Sequence, residues 1–201
     1  MSEPYVVGVD TGHTGSLREA DHLLRALAAE LGLPADALGC THHVREGRPH
    51  TALSFALPSE RAARAVWRSL TEDASVGSVA GTGPGVALGN DRHGPDELAA
   101  GAAHAAAEHT ARTGGRAVLY PGAGAVTGTL GVGRLLEVSA VERVAVFGSP
   151  GGAPSEAELV TRDHVRPEWR EGRLVLAAMP AAGGTLVPFE VPDPTPCCAD
   201  H

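Results

Sequence analysis

Lysine is absent from this chain. All 16 basic residues are arginine, so chemistry that needs a lysine nucleophile, a lysine Schiff base or the lysine of a phosphate-binding loop is excluded. Aromatic residues make up only 3% of the 201 residues, and the three cysteines do not form a disulfide framework. The sequence shows neither a charged-then-apolar leader nor a long apolar run. We therefore expect a cytoplasmic protein with no membrane partner.

The charge balance indicates which macromolecules the chain does not bind. The formal net charge is -8, and the arginines are dispersed, whereas a nucleic-acid interface needs clustered cationic side chains. A hydrophobic content of 43% is enough to form a real core. Alanine, glycine and arginine are favoured over lysine, as in proteins from high-GC genomes. We expect a folded enzyme acting on a small molecule.

Apolar spacing predicts strands that alternate with helices, and hence an α/β to α+β fold. In chain order the predicted elements are a strand over 5–9, a helix from Leu17 to the stop at Gly32, a strand over 50–57, a helix after Ser59 with Ala62, Ala65, Val66 and Leu70 inward, an alanine-dense helix over 95–110, a strand, loop, helix and strand over 117–148, and a hairpin of 173–179 with 185–191. A glycine-rich seam near 72–84 suggests an N-terminal α/β half over 1–75 and a C-terminal α+β half over 76–201, which ends in a returning proline-rich tail.

The turn DTGHTGS after the first strand is a candidate site for an ion or a phosphate. Asp10 ends the strand, where a carboxylate points into the crevice beyond the sheet, and free backbone N–H groups near Thr14 and Gly15 can accept an anion. His13 adds a second potential ligand. The alternative is an ordinary strand-to-helix turn with a capping residue.

Two glycine loops allow the backbone to approach a ligand closely. The first contains Gly83 and Gly85, and the second contains Gly122 and Gly124. The second resembles a dinucleotide-binding G-x-G-x-x-G loop, but Thr127 stands at its third glycine position. We therefore do not expect a dinucleotide fold.

Two short clusters carry side chains that suit zinc or another thiophilic metal. They are Cys40, His42 and His43 in CTHH, and Cys197, Cys198 and His201 in CCADH. The alternative is a buried cysteine acting as a small apolar residue beside a surface histidine pair. We expect His104 and His109 to face solvent on their helix, and His50 to be a satisfied loop histidine.

The order of five motifs resembles the kinase-like and ferredoxin-like core of the archaeal agmatinylcytidine synthetase family, which modifies an isoleucine tRNA. The motifs are GVDTGHTG, GRPHTALSF, GPGVALG, GAGAVTGTLGVG and PDPTPC. The resemblance implies a kinase-like α/β half joined to a ferredoxin-like half, with ATP and magnesium bound in a crevice between them. It lacks the nucleic-acid-binding and zinc-ribbon parts of the family, so tRNA is not an expected partner.

The resemblance also implies roles for particular residues. Asp10, His13 and Arg48 are the expected catalytic residues, with Arg48 as a bidentate anion contact. Nucleotide and phosphates would be lined by Thr14, Gly15, Gly83, Gly85, Gly122 and Gly124. The PTPC turn would close the site and bring the tail to His13.

Two functions follow from these expectations. The first is a small cytoplasmic enzyme, expected to be a homo-oligomer, that activates or ligates a small polar metabolite with ATP. In the second, histidine and cysteine replace the family's acids and shift the ion from magnesium to zinc, iron or copper. That ion would be held by Asp10, His13, Cys197, Cys198 and His201, in a redox or hydrolytic enzyme or a metal-binding protein without nucleotide. A non-catalytic binding subunit is a further alternative.

Overall fold

The structure of the chain is a computed structural model. It describes residues 4–12, 15–34, 37–73, 76–77 and 83–191. The chain forms two compact units, one made of Met1–Pro121 and Glu168–Arg173 and the other of Gly122–Pro167 and Leu174–His201.

The described residues form strands and helices that alternate along the chain. In order they are β1 (Tyr5–Asp10), α1 (Leu17–Glu30), β2 (Leu38–Val44), β3 (His50–Leu57), α2 (Glu60–Glu72), β4 (Gly85–Leu88), β5 (Asp91–His93), α3 (Asp96–Ala111), β6 (Arg116–Leu119), β7 (Thr129–Gly131), α4 (Val132–Val138), β8 (Arg143–Val146), β9 (Glu158–Val160), β10 (Glu168–Arg170), β11 (Arg173–Pro180) and β12 (Leu186–Pro188).

The first unit is built on an antiparallel sheet with the strand order β5-β4-β1-β3-β2-β6-β10. Its first six elements follow the order β-α-β-β-α-β, and their four strands lie in the order β4-β1-β3-β2. This is the arrangement of two interleaved split β-α-β units. Each strand therefore has a neighbour from a distant part of the chain.

One face of this sheet carries the main apolar core. Side chains alternate across a strand, so Val7 and Val9 of β1 point to the same face, where they join Leu24 of α1 and Val66 of α2 in one buried cluster. Ser16 caps α1 in a capping box with Glu19, and Ser59 caps α2. Both helices therefore begin where the sequence predicts.

The opposite face is covered by α3, which lies very close to the strands. A Cβ added to Gly8 of β1 would stand 1.9 Å from the carbonyl oxygen of Ala102. The buried residues of α3 are mostly alanine and glycine, because larger side chains would hold the helix away from the sheet. This close approach brings polar side chains of the strands into contact with α3.

The second unit has its own mixed sheet, in the order β8-β11-β12-β9-β7. β8 is parallel to β11 and β9 is parallel to β12, while β11 and β12 form an antiparallel hairpin. The sequence predicts this hairpin correctly. Phe147 and Phe189, which follow β8 and β12, are exposed and stack on each other.

The expectation of an α/β to α+β fold is confirmed, whereas the kinase-like and ferredoxin-like assignments of the two halves stay predictions. The compact units divide at Pro121, not near residue 75. The reason is that β4 lies beyond the predicted seam yet pairs with β1, with Gly85 opposite Asp10. In α2 the buried residues are Ala63, Val66 and Leu70, so Ala62 and Ala65 are not core positions.

Membrane insertion can be examined only through the described helices. None of them is both long enough and apolar enough to span a bilayer.

Candidate functional site

Three potential metal ligands meet between the sheet and α3. Cys40 and His42 are two residues apart on β2, so they share the face that α3 covers, and His109 lies in the last turn of α3. One ligand atom from each residue lies within 4.8 Å of the others, and all three residues are buried. We refer to Cys40, His42 and His109 as the Cys/His group.

A hydrogen-bonded chain connects the two histidines of this group. Glu108 Oε2 lies 2.9 Å from His42 Nδ1, Ser54 Oγ lies 2.8 Å from His42 Nε2, and the same Oγ lies 2.7 Å from His109 Nδ1. Ser54 reaches this position because it stands opposite Cys40 in the β2–β3 register. The chain reaches the surface at Glu108, which also lies 3.6 Å from the exposed His104.

The partners determine where the protons of this chain lie. An ionised carboxylate only accepts hydrogen bonds, so His42 Nδ1 donates to Glu108. A neutral His42 then accepts at Nε2 from the Ser54 hydroxyl, and His109 Nδ1 donates to the Ser54 oxygen. In this state Glu108 fixes the His42 tautomer that leaves Nε2 as a lone-pair donor.

Burial sets the charge state of these groups. It lowers the pKa of His42 despite the bond to Glu108, and it lowers the pKa of His109 to about 3, assisted by the charges of His42 and Arg112. Burial also raises the pKa of the Cys40 thiol, although the approach of the Trp169 N–H and the charge of Arg116 act in the opposite direction. The bond to His42 lowers the pKa of Glu108. The two histidines are therefore neutral and able to bind a metal, and the cysteine is a thiol.

Glu108, His42 and Ser54 have the connectivity of an acid–histidine–serine triad. Ser54 is fully buried, however, and its oxygen is held by both histidines. An acyl substrate would have no access to this hydroxyl. The arrangement therefore favours ligand binding over nucleophilic catalysis.

Gly115 allows the Cys/His group to form beside β6. Its φ is +107°, and a Cβ at this position would stand 2.5 Å from His42 Cε1 and 3.2 Å from Cys40 Cβ. The carbonyl of Gly115 accepts from the backbone N–H of Trp169 on β10. The Trp169 ring lies 6.2 Å from the His109 ring, and Arg112 covers it at 4.9 Å.

A second buried polar cluster lies nearer the start of α3. Asp10 is fully buried, and its Oδ2 lies 2.7 Å from His50 Nε2, while its Oδ1 accepts from the N–H of Gly12 at 2.8 Å. His50 Nδ1 lies 2.7 Å from the carbonyl oxygen of Arg48. Both ring nitrogens face acceptors, so both carry a proton and His50 is an imidazolium.

The electrostatics of His50 agree with this assignment. Burial disfavours the charged ring, but the bonds to the Arg48 carbonyl and to Asp10, with the charges of Asp10 and Glu97, together raise the pKa of His50. Asp10 and His50 therefore form a buried ion pair.

The structure describes only some of the expected site residues. His13, Thr14, Cys197, Cys198 and His201 lie outside the described residues, so the predicted meeting of the first loop with the tail is outside them as well. Arg48 and Gly15 are exposed, and the Arg48 backbone is brought to Asp10 through His50. The catalytic roles of Asp10, His13 and Arg48 stay predictions.

Two of the predicted loop glycines have close neighbours that explain them by packing. A Cβ at Gly85 would stand 2.1 Å from the carbonyl carbon of Leu98, and one at Gly122 would stand 2.0 Å from the Val138 oxygen. Gly83 and Gly124 have no neighbour within 4 Å of such a Cβ. Nucleotide binding at these four positions stays a prediction.

Two histidines are placed differently from the sequence expectation. His109 is buried rather than solvent-facing, and His50 pairs with a buried carboxylate. The sequence does carry a signal for His109, because it follows Ala102 and Ala105 at helical spacing on the apolar face of α3. His104 is exposed as expected, at 46%.

Comparison with known proteins adds no assignment. No protein-family model, no curated protein and no solved structure matches this chain.

Proposed function

We propose that this protein binds a divalent transition metal ion of the zinc type through Cys40, His42 and His109. The observation that carries the proposal is the convergence of one thiol and two neutral imidazoles within 4.8 Å in a buried site. Thiolate and imidazole are the ligands that zinc takes most often in proteins.

The spacing of the group fits such an ion after a small contraction. Zinc bonds of about 2.0–2.3 Å in tetrahedral geometry place the ligand atoms about 3.3–3.7 Å apart. The limit of 4.8 Å in the structure therefore leaves about 1 Å for the side chains to close around an ion. Both Cys40 and His42 lie on a hydrogen-bonded strand, which keeps this adjustment local.

The surroundings also support a divalent ion. Metal-binding histidines usually donate their second ring N–H to a carboxylate, which orients the ring and strengthens the ligand. Glu108 makes this bond to His42 Nδ1 at 2.9 Å. A Cys40 thiolate and the Glu108 carboxylate together balance two positive charges, and the ion would replace the thiol proton of Cys40.

Equilibrium metal loading of the untagged protein tests the proposal. After incubation with zinc and desalting, we expect about one equivalent by elemental analysis. Cys40→Ala should lose most of this metal, whereas His43→Ala should keep it, because His43 lies next to His42 on β2 but is exposed. Circular dichroism of each variant checks that the fold is retained.

A second variant separates this site from the tail. Replacing Cys197 and Cys198 by serine should leave the metal content unchanged if the ion is held beneath α3. Wild-type protein that retains less than about a tenth of an equivalent would remove the proposal. Loss of metal in the tail variant with retention in Cys40→Ala would move the site to the tail.

The expected ATP-dependent activation of a polar metabolite stays a prediction. Asp10 is engaged by His50 and by the Gly12 N–H, so magnesium binding there would require that His50 move. Calorimetric titration with ATP and magnesium decides whether the nucleotide binds.

A further inference from the structure

Trp169 contributes a buried polar group that has no partner. Only 7% of the residue is exposed, and its indole Nε1 is buried without a hydrogen bond to any described residue. A buried N–H that makes no hydrogen bond costs about 1–3 kcal/mol. Such a group in a folded protein calls for an acceptor that is formed or bound in another state.

The position of Trp169 indicates which acceptor this is. Its backbone is hydrogen-bonded to Gly115, and the space left by the missing Gly115 side chain is bordered by Cys40 and His42. Its ring also lies 6.2 Å from the His109 ring. The indole therefore borders the Cys/His group on its β6 side, beside the Cys40 sulfur.

A neutral thiol is a weak acceptor, whereas a metal-bound thiolate is a strong one. The N–H of Trp169 thus faces a sulfur that would become a good acceptor only when an ion is bound. Arg112 lies 4.9 Å above the indole ring, and a cation over the ring face polarises the N–H and makes it a better donor.

We propose that Trp169 is a positioning residue of the metal site, which donates its indole N–H to the Cys40 thiolate once the ion is bound. This inference rests on the proposed metal-binding function. Hydrogen bonds to a ligating cysteine sulfur reduce the charge that the sulfur gives to the metal, and loss of such a partner typically weakens affinity 10- to 100-fold.

Cobalt titration of the metal-free protein provides the test. Cobalt(II) substitutes for zinc and shows a charge-transfer band from thiolate to metal. We compare wild type, Trp169→Phe and Trp67→Phe, the last as the matched control because Trp67 is the other tryptophan and packs in the apolar core under α1 and α2. Trp169→Phe should bind cobalt about 10- to 100-fold more weakly and shift the band to lower energy. Trp67→Phe should match wild type in both respects.

The outcomes separate the inference from the function on which it rests. If wild type binds no cobalt, the proposed function fails. If wild type binds and Trp169→Phe shows the same affinity and band, metal binding stands and the role of Trp169 is wrong. A weaker affinity with an unmoved band would mean that Trp169 only fills space, which also overturns the inference.

A fluorescence measurement covers the case in which Trp169→Phe fails to fold. In Trp67→Phe, Trp169 is the only tryptophan, and zinc has no absorption that quenches emission. Saturation with zinc should change the Trp169 emission as its N–H gains an acceptor. Emission that stays constant at full zinc occupancy contradicts the inference.

Discussion

The Asp10–His50 ion pair makes the stability of the first unit depend on pH. The carboxylate of Asp10 is fully buried, and the His50 side chain is 10% exposed. Removing one partner of a buried ion pair costs about 3–5 kcal/mol, because the other charge remains buried without compensation. Asp10 keeps its bond to the Gly12 N–H, so we expect the lower end for His50→Gln, about 3 kcal/mol.

The direction of the pH effect follows from the raised pKa of His50. In the unfolded chain its pKa is about 6.5, so the stabilisation is fully present below that value. It is lost as pH rises through the higher folded pKa, where the ring gives up one proton and with it one of its two hydrogen bonds. Wild type should therefore exceed His50→Gln in stability most near about pH 6 and least near about pH 9.

Thermal and urea unfolding of wild type, Asp10→Asn, His50→Gln and the double variant measure this effect at both pH values. A loss of about 3 kcal/mol corresponds to a melting temperature lower by roughly 6–12 °C in a chain of this length. The double variant should lose less than the sum of the single variants. His22→Gln, on the exposed side of α1, is the control and should change little. A difference between wild type and His50→Gln that grows toward high pH would refute the reasoning.

Three glycine substitutions test the close packing described above. Gly115→Ala should weaken zinc binding at least about tenfold, because its Cβ would stand 2.5 Å from His42 Cε1; competition with a zinc-binding dye measures this. Gly8→Ala should cost more than about 3 kcal/mol in urea unfolding, since its Cβ would meet the Ala102 carbonyl at 1.9 Å. Gly124→Ala should change stability by less than about 0.5 kcal/mol, because nothing lies within 4 Å of its Cβ; a larger loss would indicate a role that packing does not explain.

Local pattern was enough to predict most elements of the fold. The strands β1 and β3, the helices α1 and α3 and the β11–β12 hairpin all follow from apolar spacing, caps and turn residues. The strand order could not be predicted in this way, because β4 joins β1 across most of the first unit. The same long-range pairing explains why the compact unit continues past the glycine-rich seam.

The candidate site divides along the same line. Alternation on β2 places Cys40 and His42 on one face, and the CTHH motif was recognised as a potential metal cluster. Its partners were sought in the C-terminal tail, however, whereas the structure brings His109 to it from α3. Sequence spacing could identify the ligands of one strand but not the helix that covers them.

The two polar clusters beneath α3 differ in a way that bears on function. Small residues bring this helix so close to the sheet that every polar group between them must be satisfied within the protein. Asp10 and His50 meet this demand fully, since the imidazolium donates twice and the carboxylate accepts from both His50 and Gly12. Beside Cys40, in contrast, a thiol stands next to an indole N–H without an acceptor. A bound cation would convert that thiol into the missing acceptor. The first cluster therefore has the properties of a structural ion pair, and the second has those of a site that is completed by its ligand.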